Sequence, residues 1–316
     1  MNRTSRRGGL GAALAALKSA LQWRLLLLWI IATLLPVLLV ATPLWATLHA
    51  QFGHSPYAAD IAAGRNVPLL IQGLMEIGEH LGWLGAGLGA TTVLMLLLSP
   101  WLTGMVVASL RAGRRLGFGE LVHGGLSEYW RMLRMLLWSA IPLGIAAAIG
   151  GGVITALGKS TEQAILASEV DNASRIGLVV AAVVFVLAHA TVEAGRGWLG
   201  ADRNRHSVVV AWWHGVKLLL KRPLATLLVY LVASIVGYGL ALLFAWLRVR
   251  VDGVGMGAFV LSFLLGQAIV AMLAWGRIAR VYGMADLAGD RMAREATAAP
   301  AASIASPAAP AEPLPA

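Results

Sequence analysis

Apolar residues run in six long blocks along the 316-residue chain, at about 25–48, 83–110, 132–157, 176–195, 224–247 and 254–275. The blocks match or exceed the roughly 20 residues that an α-helix needs to cross a hydrocarbon core about 30 Å thick. No stretch alternates with the period of two that a barrel strand requires. The pattern therefore predicts an all-α polytopic membrane protein with six transmembrane helices. The first block is longer than the apolar core of a cleaved signal and reads as an anchor that is retained.

Shorter patterns flank these blocks. Leu10, Leu14, Leu17 and Leu21 recur at helical spacing beside Lys18 and Arg24, so residues 1–24 read as a basic segment with an amphipathic helix on the membrane surface. After Asn66 and Pro68, a stripe of Leu70, Leu74, Ile77 and Leu81 predicts a second interfacial helix. Ser207 can cap a third, whose Val208, Trp212, Val216 and Leu219 form one face. Residues 25–285 then make the six-helix domain. The Ala- and Pro-rich stretch 286–316 has too little apolar content for a core and is expected to be a disordered tail.

Charge orients the helices. Twenty of the 25 Lys and Arg residues fall in 1–24, 111–134, 196–222 and the segment after 275, leaving Arg65, Lys159, Arg175, Arg248 and Arg250 for the alternate connections. Cytoplasmic loops retain Lys and Arg, so both termini are expected inside. The net charge of +10 is spread over helix ends, which fits an anionic inner leaflet better than nucleic acid. Composition and compact loops suggest a bacterial inner membrane. The absence of cysteine excludes disulfides and thiol chemistry.

A shift of 90 residues lays Arg115 on Arg205, Gly125 on Gly215 and Arg131 on Lys221, and superposes spans two and three on four and five. Two helix-loop-helix units of one orientation are the expected repeat. Small residues at every fourth position mark close helix contacts: Ala140, Gly144, Ala148, Gly152 and Ala156; Ala233, Gly237, Ala241 and Ala245; Ala258, Ser262 and Gly266. Pro36, Pro43, Pro100 and Pro142 lie within spans and are expected to kink them.

Polar chemistry in the spans is sparse. His189 and Glu193 share one face of the fourth span, with Arg196 one turn on, and an intramembrane ionisable pair is a candidate for ligand binding or proton relay. Their position near the inner end points first to a hydrated ion pair that anchors the helix. Trp212, Trp213, Lys217, Lys221 and Arg222 form a possible lipid or partner surface. His49, His54, Asp60, Glu76, Glu79 and His80 fit no metal-ligand spacing. No span holds a nucleophile with a base or paired carboxylates, and Gly150–Gly152 lack the lysine of a phosphate loop, so neither an active site nor a cofactor site is expected.

The loop from Arg111 to Arg134, with Phe118, Glu120, Gly125, Trp130 and Arg131, and the later Lys221-Arg222-Pro223, resemble bacterial six-helix proteins of the glycerophosphodiester phosphodiesterase membrane-domain type. The likeness spans about 20 to 285. It implies a membrane module that accompanies another protein, without the phosphodiesterase activity, because that family's soluble domain and metal-binding acids are missing. The expected function is a non-catalytic scaffold or accessory subunit. The alternative is a small transporter or lipid-handling protein with its path between the repeat units. Convergence of Thr91, Thr92, Ser139, Tyr230, Ser234, Tyr238, Ser262 and Gln267 on one place would favour transport.

Overall fold

The computed structural model describes residues 9–58, 60, 67–69, 71, 75, 78, 82–161, 166–202, 207–251 and 255–304. They form helices α1 (Gly9–Ala20), α2 (Trp23–Phe52), α3 (Gly82–Ala112), α4 (Phe118–Ser127), α5 (Tyr129–Ser160), α6 (Ala167–Ala201), α7 (Val208–Lys221), α8 (Pro223–Val249) and α9 (Met256–Ile304). Among them α2, α3, α5, α6, α8 and α9 are long and apolar enough to cross a membrane. The chain is an all-α polytopic membrane protein. The interfacial helix expected after Pro68 lies mostly outside the described residues.

Three hairpins, α2 with α3, α5 with α6 and α8 with α9, pack side by side. The short helices α1, α4 and α7 all lie at one end, the near side. Burial is concentrated toward that end: Leu25 to Pro36 in α2, Pro100 to Ser109 in α3, Ala190 to Gly200 in α6 and Ala274 to Ala288 in α9. Toward the far side the helices are largely exposed, and the most apolar window of α9 has no buried residue. Each membrane-spanning helix thus has a protein-facing half and a half left to lipid or to another surface. The three helices that contain Pro36 and Pro43, Pro100 and Pro142 remain continuous through them.

The expected repeat is present in the contacts. Trp101 Nε1 of α3 donates to Val122 O of α4 at 3.3 Å, and Trp212 Nε1 of α7 donates to Thr191 Oγ1 of α6 at 3.1 Å; the two pairs are related by the same 90-residue shift. Glycines let the short helices approach. A Cβ added at Gly104 would lie 2.7 Å from Gly125 O, and one added at Gly215 would lie 2.6 Å from Gly195 N. A third unit closes the ring from the chain's two ends: Trp275 Nε1 of α9 donates to Leu17 O of α1 at 2.9 Å, and α2 follows. In every unit a helix running toward the near side, α3, α6 or α9, is followed in space by a short helix and a returning one. These three helices also touch one another.

Several expectations are corrected. In α1 Leu10 and Leu14 point outward, both 56% exposed, while Leu17 is buried and Ala13, Ala16 and Ala20 are fully buried against the bundle. Small side chains permit close helix approach, and large apolar ones are free to meet lipid. The ridge from Ala140 to Ala156 in α5 is exposed; its partner-facing residues are Met132, Met135, Ser139, Ala146 and Gly150. Ala233, Gly237 and Ala241 do pack closely, against α9 at Gly276, whereas Gly266 has no neighbour at Cβ distance. Residues 286–304 are not a disordered tail. Helix α9 continues through them, and Leu287 and Ala288 are buried because their apolar face finds α6 and α7.

Candidate functional site

The helix α6 brings His189, Glu193 and Arg196 onto one face, as their spacing requires. Arg196 Nη1 donates to Glu193 Oε1 at 2.7 Å, and His189 Nε2 lies 3.7 Å from the same oxygen. Tyr230 of α8 shares a 2.8 Å hydrogen bond with His189 Nδ1. Glu193 is 1% exposed and Arg196 7%, so the pair is buried and not the hydrated interfacial anchor that the sequence suggests. The end of α6 is covered by α7 and by the prolongation of α9, which keeps water and headgroups from it.

Helix α9 adds two residues that the charge pattern counts only among the basic residues at the inner helix ends. Arg277 Nη2 donates to Ser99 Oγ and Thr103 Oγ1 of α3, both at 3.2 Å, and its guanidinium lies 5.8 Å from the centre of the Trp29 ring. Arg280 Nη1 donates to Ser234 Oγ of α8 at 3.2 Å, and its guanidinium lies 5.8 Å from the centres of the Tyr230 and Tyr238 rings. Glu193 acts electrostatically on Arg196, Arg277 and Arg280 alike. The signal for these residues was available. Ile278, Ala279, Val281, Tyr282 and Met284 continue the helical apolar pattern past Trp275.

The site is thus a polar centre where α3, α6 and α9 meet: Ser99 and Thr103, His189 with Glu193 and Arg196, then Arg277 and Arg280, closed on one flank by α8. The 90-residue shift places Ser99 on His189 and Thr103 on Glu193, so the first two sets occupy equivalent turns of equivalent helices. Of the eight dispersed polar residues, Tyr230, Ser234 and Tyr238 converge here. Thr91 instead donates to Pro36 O, Thr92 to Leu88 O and Ser139 to Leu136 O.

Closer to the near side, Gln22, Ser109 and Tyr282 close a ring of hydrogen bonds of 2.7 to 2.9 Å at the floor of a pocket of about 260 Å³, whose rim carries Lys18, Arg114 and Arg115. Arg114 forms two hydrogen bonds to Glu120, which also accepts from the Gly117 N–H at 2.8 Å. The Arg114 guanidinium, with help from Gly117, lowers the Glu120 carboxyl from 4.5 to about 2.

The expected surface on α7 divides. Trp212 faces inward, bonded to Thr191 and edge-on to Trp138, so it braces α5 and α6 and is not a contact surface. Trp213 is 50% exposed with Lys217 Nζ 5.8 Å from its ring centre, and Lys221 is exposed beyond it while Arg222 is half-buried. His49 and His54 have ring centres 6.3 Å apart, and no group of three metal-ligating side chains occurs among the described residues. Glu76, Glu79 and His80 lie outside the described residues. No protein-family model, curated protein or solved structure matches this chain.

Proposed function

We propose that this chain is a small transporter or lipid-handling protein of a bacterial inner membrane, with its near side cytoplasmic and its path along the axis where α3, α6 and α9 meet. The orientation rests on the partition of Lys and Arg. One observation carries the function: three arginines and a glutamate converge at the centre of the pseudo-repeat, inside membrane-spanning helices. A static scaffold gains little from this, because buried ion pairs can often be replaced by apolar residues at no loss of stability. Charged groups in a span mark substrate or ion pathways. No catalytic step is assigned to the site.

A role as accessory subunit keeps one observation in its favour, the exposed Trp213 and Lys221 with the half-buried Lys217 on α7, which suit an anionic leaflet or a cytoplasmic partner. The cysteine-free chain allows a direct choice. Single cysteines at Ser99, Ser234 and Tyr238 are exposed in sealed vesicles to a membrane-impermeant thiol reagent. A solute path predicts labelling from one side, whereas no labelling from either side at any position would leave the scaffold reading.

A further inference from the structure

We propose that the substrate class handled at this centre is an anion bearing an oxyanion group, phosphate, sulfate or carboxylate, held between Arg277 and Arg280; the proposal rests on the path reading above. The argument begins with charge. Arg196 has the close ion pair with Glu193. Arg277 and Arg280 contact hydroxyl groups and aromatic rings, which are neutral. The described cluster therefore carries three positive charges against one negative.

Burial makes that excess costly. Arg280 is 6% exposed, and Nε of both Arg277 and Arg280 is shut off from the surface with no hydrogen-bond partner among the described residues. A buried lysine, histidine or carboxylic acid can relieve such a cost by changing protonation, but a guanidinium cannot. The hydroxyl oxygens of Ser99, Thr103 and Ser234, which accept from the guanidinium groups, and the faces of Tyr230 and Tyr238 soften the desolvation without neutralising it. A bound anion would do both, since a guanidinium offers planar paired donors that match two oxygens of an oxyanion.

The geometry also points to reversible holding. Arg277 is drawn toward α3 and Arg280 toward α8, each by bonds of 3.2 Å to neutral hydroxyls that an anion can outcompete. Tyr238, 53% exposed, lies beside Arg280 on that flank. Glu193 supplies opposing charge that prevents the anion from binding irreversibly.

The oxyanion could arrive as a free solute or as the phosphate of an anionic lipid, and two arms separate the sources. In the first, thermal unfolding of the purified protein in neutral detergent is followed against inorganic phosphate and sulfate, with chloride at equal ionic strength as the comparison that lacks an oxyanion. In the second, the protein is placed in nanodiscs of phosphatidylcholine with or without phosphatidylglycerol. We expect saturable stabilisation in one arm. Its midpoint should weaken by about tenfold or more in Arg277→Gln and in Arg280→Gln, since a hydrogen bond to a charged group carries at least that selectivity. Glu193→Gln should move the midpoint to lower concentration, an effect a merely structural carboxylate does not produce. Arg280→Lys, which retains the charge, guards against misfolding of the neutral variants and should keep part of the response. Equal stabilisation of wild type, Arg277→Gln and Arg280→Gln, or none in either arm, overturns the proposal. Because cysteine labelling at Ser99 or Ser234 reports the path independently, labelling without an anion response defeats this inference alone.

Discussion

Glu193→Gln is the substitution with the largest consequence. The carboxylate is 1% exposed and 2.7 Å from Arg196 Nη1, and it also faces Arg277 and Arg280. With charge centres about 4 Å apart and an effective dielectric near 20, the Arg196 attraction alone is worth about 4 kcal/mol. Removing one partner of a buried pair leaves the other uncompensated, and such losses run at about 3–5 kcal/mol. At roughly 2–4 °C per kcal/mol for a chain of this order of size, the melting temperature in detergent should fall by about 10 °C. The double variant Glu193→Gln with Arg196→Gln should recover part of the loss, because the two residues are coupled through one contact. A fall of only one or two degrees, with additive single effects, would refute the reasoning. It would place the pair in water, where about 0–1 kcal/mol is the rule.

The packing assignments give opposite expectations for two glycines. Gly237→Ala places a Cβ 2.8 Å from Gly276 Cα and should cost about 1–3 kcal/mol, read as early melting, whereas Gly144→Leu on the exposed ridge should melt as wild type. Leu287→Ala removes a buried side chain that is 3% exposed and should cost about 2–5 kcal/mol by thermal unfolding, which tests whether α9 is a packed helix beyond residue 285. Glu120, lowered from 4.5 to about 2 in the fold, contributes its stabilisation above the ordinary carboxylate range and loses it as pH falls toward about 2. Amide exchange at Gly117 should therefore quicken over that window relative to the intrinsic rate, and Glu120→Gln should remove the transition.

The spans were legible because hydropathy and length decide whether a helix can cross a bilayer, whatever it packs against. The repeat was legible because Gly125 and Gly215 mark positions where a short helix must come close. The facing of α5 was not, since small residues occur on more than one side of it; Ala140, Gly144 and Ala148 compete with Ser139, Ala146 and Gly150, and only the neighbour decides. Arg277 and Arg280 escaped for a related reason. A charge count treats every arginine near a span end alike, while the placement of these two depends on Ser99, Thr103 and Ser234, which are distant in sequence. Leu10 and Leu14 of α1 misled in the same way: in a bilayer the larger apolar side chains do not by themselves identify the protein-facing side.

The central claim, a solute path that reaches the charged centre inside the membrane-spanning bundle, is tested most directly by spin-label accessibility at two positions of the reconstituted protein. A label at Ser234→Cys should collide more with a water-soluble paramagnetic reagent than with oxygen, and a label at Gly144→Cys should show the reverse. Preference for oxygen at both positions would mean that the centre is as dry as the lipid-facing ridge, and the account of a solute path would be wrong.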